Sequence, residues 1–281
     1  MRHAAIGLLA LTAASTLASA QTQTPIERGS YLVNTILTCG NCHTPKGPQG
    51  DIMEKAFSGG LEFDEPPFKV TASNITSDKE TGIGDWSAEE LTKFMTTGVR
   101  PNGVQVAAIM PTGYYKIMTA RDLDAVVAYL RSLPPLKNTV PAPIYKMPAI
   151  QEVPPGGEKR VTEPELSDPV KRGFYLATIG HCFECHTPMV QGQHDFQNAY
   201  GMGGMKFPGP WGKSVAANIT QSKTKGIGAW SDDEIKRAIT TGISRDGHQL
   251  KPPMGFPYYA KMTAADLDAI VAYLRTVPAK D

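Results

Sequence analysis

The chain is written twice. Of its 281 residues, Met118–Pro134 recurs as Met262–Pro278 with 13 of 17 positions identical. Asn74-Ile75-Thr76 recurs as Asn218-Ile219-Thr220, and Gly82-Ile83-Gly84-Asp85-Trp86-Ser87 as Gly226-Ile227-Gly228-Ala229-Trp230-Ser231, all 144 positions apart. A repeat this long specifies a domain built twice rather than a solenoid, because each unit has helices of its own to pack. The duplication also carries Cys39-Gly40-Asn41-Cys42-His43 and Cys182-Phe183-Glu184-Cys185-His186, here 143 apart, so one residue is lost before the second string and regained after it.

Both strings read C-x-x-C-H, the attachment signal for c-type haem. Two thiols three positions apart on one helical turn can add across the two vinyl groups of a haem. The following histidine is then carried to the iron as proximal ligand. Cys39, Cys42, Cys182 and Cys185 are therefore the expected attachment residues, with His43 and His186 as iron ligands and two covalent haem c groups as cofactors. A zinc site is the competing use of C-x-x-C, but four zinc thiolates would leave both histidines unexplained. The chain has only these four cysteines, so none remains for a disulfide, a thiolate axial ligand or a nucleophile.

A formal net charge of +1 excludes the basic excess of a nucleic-acid binder. The content of 41% hydrophobic and 20% charged residues is that of a globular chain. Residues 1–20 read as a signal peptide: Arg2 and His3, an apolar run from Ile6 to Leu17, then Ala18-Ser19-Ala20 before the cut. That run is shorter than the roughly 20 residues of a membrane span. The expectation is a protein exported to the periplasm, where c-type haem is attached, and held at a membrane only through a partner.

The remaining chain divides into a first domain at 21–135, a linker at 136–166 and a second domain at 167–281. Glu27 to Thr38 reads as a helix running into Cys39, and Asp168-Pro169 starts its counterpart. Ser87-x-x-Glu90 and Ser231-x-x-Glu234 are capping boxes, and Gly98 and Gly242 stop the helices they open. Thr119 and Thr263 cap the last helices, whose apolar residues, such as Leu123, Val126, Val127 and Leu130, follow helical spacing. Each unit is thus an all-α bundle of three or more helices with long loops, its core completed by the haem. The proline-rich linker reads as an extended, stiff surface connection that sets the placement of the two haems.

A sixth ligand would come from the loop before the last helix. Met110 and Met254 lie there, 144 apart, each beside a proline that favours extended backbone. The alternative is ordinary core packing. Met118 and Met262 stand just before a cap and read as hydrophobic staples. His181, His194 and His248 have no counterpart in the first unit and default to surface or loop roles, His248 standing closest to a methionine. Trp86 and Trp230 suit core packing or an indole N–H near a haem propionate.

Taken together, C-x-x-C-H, Asn-Ile-Thr, Gly-Ile-Gly-x-Trp-Ser, a loop Met and Met-Thr-x-x-Asp-Leu-x-Ala-x-x-Ala-Tyr-Leu-Arg resemble class I cytochrome c domains. The likeness covers 25–135 and 167–281 and is greatest to the multihaem cytochrome subunits of bacterial alcohol, aldehyde and gluconate-type dehydrogenases. Those subunits usually carry three haem motifs, and this chain has two. The resemblance implies a dihaem electron carrier. Its donor would be a periplasmic dehydrogenase, and its acceptor a quinone, an oxidase or another cytochrome. The enzymatic alternative, a dihaem peroxidase, needs one open iron and a nearby acid–base group. A small-molecule sensor needs one labile ligand. The state of the sixth position separates all three.

Overall fold

The computed structural model describes residues 23–209 and 211–281; the signal segment expected at 1–20 lies outside the described residues. The first unit runs α1 (Pro25–Asn34), α2 (Cys39–His43), α3 (Ala88–Thr97), a 3-10 stretch Thr112–Ile117 and α4 (Ala120–Ser132). The second runs α5 (Pro169–Ile179), α6 (Cys182–Cys185), α7 (Asp232–Thr241), α8 (Phe256–Tyr259) and α9 (Ala264–Leu274). Short antiparallel hairpins, such as Glu62–Glu65 with Phe68–Thr71 and Lys206–Gly209 with Gly212–Val215, fill the loops between helices.

The caps form as their sequences require. The Ser87 and Ser231 side chains accept from the Glu90 and Glu234 backbone N–H, and both glutamates reach back to the cap. Gly98 and Gly242 close the same helices at φ 70, a conformation glycine adopts without a Cβ penalty. The first helix departs from expectation. Thr24 and Glu27 form a capping box at its start, and it ends at Asn34 rather than running to Thr38. The Thr35 hydroxyl donates to Tyr31 O at 2.5 Å. Thr38 then turns left-handed at φ 48, so α2 begins as a separate short helix. His181 makes the same turn before α6, at φ 42.

In each unit the first helix crosses the last at a glycine. A Cβ on Gly29 would lie 1.9 Å from Ala125 O, and one on Gly173 would lie 1.8 Å from Ala269 O. Around the first crossing Leu32, Val33, Leu123, Val126 and Leu130 are buried. Arg28, one residue before the glycine, makes a two-pronged ion pair with buried Asp122, both bonds 2.7 Å. Arg172 pairs with Asp266 at the equivalent place, its Nε and Nη2 both meeting Oδ1, at 2.9 and 2.5 Å. Burial works against the Arg28 charge, but Asp122 more than offsets it and holds the guanidinium above its ordinary pKa.

The repeated loop motifs are structural locks. The Asn74 side chain accepts from Thr76 N and Oγ1 and donates to Leu136 O at 2.7 Å. Asn218 does the same with Thr220 and Lys280 O. Trp86 packs edge-on against Phe94 at 5.3 Å, and its carbonyl accepts from Arg131, the packing use of this residue. Met118 is fully buried ahead of the Thr119 cap.

The linker does more than pass over the surface. Ile144–Tyr145 adds a third strand to the first unit's hairpin, and Gln151 donates to Val106 O at 3.0 Å. Glu152 then pairs with His194 of the second unit through Oε2 and Nδ1, so His194 is a buried tether rather than a loop residue. The units also touch directly, α5 lying against the Thr112–Ile117 stretch of the first unit, so their placement is set by a packed interface and not by linker stiffness alone.

Burial alone would lower the His194 pKa, but Glu152 more than offsets it and raises the imidazole above its ordinary 6.5. Glu152 itself is held low, its hydrogen bonds from His194 outweighing burial. The pair therefore contributes its full stability below about pH 6.5 and loses it as pH rises through the raised His194 value. At the acid end the contribution fades as pH falls through the lowered Glu152 value. Urea midpoints measured from pH 6 to 9 are expected to fall for the wild type, with His194→Gln removing that part of the slope. A second expectation concerns the crossings. Ala is worth about 1 kcal/mol over Gly in a helix, yet Gly29→Ala and Gly173→Ala are each expected to destabilise by about 3 kcal/mol, read as lower denaturation midpoints.

Candidate haem sites

Each attachment motif is one helical turn, placed by the left-handed residue before it. The cysteines in α2 and α6 are three apart and so share a face. Before haem is attached, burial pushes the Cys39 and Cys182 thiols up to about 12 and Cys42 to about 11, and raises Cys185 as well. Among the described residues no three His, Cys, Asp or Glu side chains converge as a metal cluster. The cysteines stand as two pairs, not as one four-thiolate zinc site.

The histidines are fixed from the far side. His43 Nδ1 lies 2.6 Å from Ser73 O, and His186 Nδ1 lies 2.7 Å from Ala217 O. A carbonyl only accepts, so Nδ1 carries the hydrogen and the Nε2 lone pair is left free. Burial lowers the pKa of both rings, which keeps them neutral at pH 7. A metal-ligating histidine ordinarily has its second nitrogen tied in this way. The donor set therefore fits a c-type haem: two thiols for thioethers and one oriented neutral imidazole, in each unit.

Ser73 and Ala217 were not singled out from sequence. They immediately precede the recurring Asn-Ile-Thr turns, which hold these carbonyls in place, and that recurrence was the available signal. Arg100 is a second such residue. Its Nε is buried without a partner, and its charge adds to burial in holding down the His43 pKa. An orphaned buried donor near His43 suits a carboxylate of the cofactor. Ser244 stands at the matching position of the second unit.

Met110 and Met254 occupy equivalent, half-buried places in the loops before the last helices. The Met110 carbonyl accepts from Thr112 N at 2.8 Å and the Met254 carbonyl from Phe256 N at 3.0 Å, so both sit at the mouth of a tight turn. The spare histidines are elsewhere engaged. The His248 side chain is 78% exposed beside Asp246, which removes it as a buried ligand. His181 lies 3.0 Å from Glu184.

Two short helices, each bearing a cysteine pair with a tied histidine next in sequence, one in each of two matched helical units, define a dihaem c-type electron-transfer protein. The cytochrome c family model matches residues 26–134 and again 170–278. The chain belongs to the cytochrome c family, with two domains and two covalent haem c groups. It is 32% identical over 272 residues to the fructose dehydrogenase cytochrome subunit of Gluconobacter japonicus, covering 91% of this chain and 53% of that one. It is 29% identical to the cytochrome c subunit of alcohol dehydrogenase (quinone) from Gluconobacter oxydans, covering 98% and 59%. A dihaem c-type cytochrome of Cereibacter sphaeroides is 28% identical, with 86% and 82% covered. The chain thus spans little more than half of those two dehydrogenase subunits and most of the dihaem cytochrome.

Intact mass spectrometry of the purified protein is expected to show two haem additions per chain. Cys182→Ser/Cys185→Ser is expected to leave one, with the reduced-haem absorbance per chain halved.

Proposed function

We propose that the chain is a periplasmic electron carrier in which His43 with Met110, and His186 with Met254, are the axial ligand pairs. The observation that carries this is the match between the units. Both histidines present a free Nε2 held by a backbone carbonyl at the same repeat position, and both units place a methionine at the same loop position. Cys39 with Cys42, and Cys182 with Cys185, are the thioether positions. When bound, the haem supplies a reversible one-electron iron couple, and Met–His ligation raises its potential relative to two nitrogen ligands.

The chain's residues do the rest. The left-handed Thr38 and His181 aim the attachment helices. Ser73 and Ala217 hold the proton of each histidine at Nδ1. Arg100 would neutralise a haem carboxylate in the first domain only. A filled sixth position leaves no place for peroxide or a gas, which favours a relay over a peroxidase or sensor.

The partners follow from the company the sequence keeps. Two of the relatives named above are cytochrome subunits of dehydrogenases, as is one of gluconate 2-dehydrogenase from Pantoea cypripedii. A dehydrogenase is therefore the proposed donor, with a quinone, an oxidase or another cytochrome as acceptor. The leader at 1–20 supports export, and no helix among the described residues is long and apolar enough to cross a membrane. Membrane association would come through a partner.

The test is the optical spectrum of the oxidised and reduced protein with added carbon monoxide. Two low-spin haems, a Met–iron charge-transfer band and no carbon monoxide shift are the expected outcome. Carbon monoxide binding at one wild-type haem would overturn the paired assignment and bring the peroxidase reading forward. Met110→Ala and Met254→Ala are each expected to open one site to carbon monoxide and to lower the midpoint potential of that haem alone.

A further inference from the structure

The two domains are joined by a contact that is the same from either side. The Tyr175 hydroxyl, on α5, donates to Asp122 Oδ2 of the first domain at 2.8 Å. The Tyr31 hydroxyl, on α1, donates to Asp266 Oδ2 of the second domain at 2.5 Å and accepts from Thr263 N at 3.1 Å. Tyr31 and Tyr175 are repeat equivalents, as are Asp122 and Asp266. Each aspartate is also the partner of its own domain's arginine, Arg28 or Arg172. The carboxylates are 3% and 2% exposed and Tyr175 is fully buried. One carboxylate thus holds its own domain's first helix and the other domain's first helix together. Burial and the facing carboxylates raise the pKa of both phenols, so they remain donors across the physiological range.

The face locked in this way carries the haem motifs. Asn41, between the first pair of cysteines, donates to Pro253 O in the Met254 loop at 3.4 Å. A Cβ on Gly40 would come 2.9 Å from the Tyr258 hydroxyl, which itself donates to Asp51 of the first domain at 3.0 Å. The Thr112–Ile117 stretch that follows Met110 lies against α5 in return. Each domain's methionine loop therefore rests on the other domain near its attachment helix. Tyr115 of the first domain sits within electrostatic reach of Cys39 and Cys42 on one side and of Glu184 and Tyr259 on the other.

We propose that Tyr31 and Tyr175 are positioning residues that hold the two haem sites of one chain at a fixed separation for direct electron exchange. With haem held at α2 and α6, the exchange would cross the face that carries these helices and the two methionine loops: one reduced iron would lose an electron and the other, oxidised, iron would gain it, with no bond formed or broken and no proton required. The inference rests on the electron-carrier reading. A buried charged cluster is a costly way to glue two surfaces, since apolar residues of similar volume often serve as well. What it provides is one register, because a donor misplaced from either carboxylate leaves a buried charge short of partners.

The experiment is exchange NMR on partly reduced holoprotein, following resonances of the two haems in wild type, Tyr31→Phe, Tyr175→Phe and the double variant. In the wild type, exchange between the two haems is expected to be first order and independent of protein concentration. In the double variant it is expected to slow by at least about tenfold, the scale on which small misplacements of positioned partners act. Haem content, low-spin spectra and the two midpoint potentials are expected to stay unchanged, which a merely destabilised domain would not give. Each single variant is expected to slow exchange part way, which keeps the test available should the double variant fail to accumulate. Unaltered exchange in the variants, or wild-type exchange that scales with protein concentration, would overturn the proposal. Carbon monoxide binding by the wild type would instead sink the carrier reading, leaving the exchange rates to judge the lock separately.

Discussion

Backbone meets backbone where Gly29 crosses Ala125 and where Gly173 crosses Ala269, and the rest of each domain hangs from that point. With no side chain at the crossing, the first and last helices approach to contact distance. The approach brings Arg28 onto Asp122 and Arg172 onto Asp266, so the ion pairs form as a by-product of close packing. Between the two helices run the short attachment helix, one longer capped helix and the loops that join them, all with fixed ends. Those loops carry the carbonyl that ties the histidine at one place and a methionine at another. A cofactor held covalently at α2 or α6 completes an interior that roughly 110 residues would otherwise have to close with side chains alone.

The tying of the ligand histidines shows how this arrangement becomes chemistry. Asn74 and Asn218 make a tight turn that is closed on the far side by chain leaving the last helix, at Leu136 and Lys280. The turn fixes the carbonyls of Ser73 and Ala217, and those carbonyls decide which ring nitrogen keeps its proton. A loop far from the cysteines in sequence therefore sets the ligand's tautomer. The domain's last segment, by pinning the asparagine, takes part at one further remove.

Much of this was legible beforehand, because its signals are local. The C-x-x-C-H strings, the Ser-x-x-Glu boxes, the terminating glycines and the 144-residue register each depend on residues a few positions apart, or on simple recurrence. The break at Thr35–Thr38 was not legible: no glycine or proline marks it, and a threonine in a left-handed turn is held there by what surrounds it. Ser73 was missed because only its carbonyl matters, and a main-chain atom leaves no trace in composition. Asp122 and Asp266 stand in the first turn of helices capped by Thr119 and Thr263, an ordinary place for an acid. Their second role depends on a residue in the other domain, and periodicity cannot see across that distance. His194 escaped for the same reason, its partner Glu152 lying in a linker that looked like a spacer.

The Tyr31–Asp266 and Tyr175–Asp122 contact has a bearing on how such a chain could arise. It is self-complementary: each repeat presents a phenol on its first helix and a carboxylate at the start of its last. Two separate copies of one repeat would meet through the same patch on both partners, the geometry of a two-fold homodimer. Fusing two copies end to end keeps that contact while making it independent of protein concentration, since the linker supplies the partner at a high local concentration. Once fused, the copies are free to diverge. Arg100 in one half where Ser244 stands in the other, and a histidine tether in one half only, are the kind of asymmetry that a true homodimer could not encode.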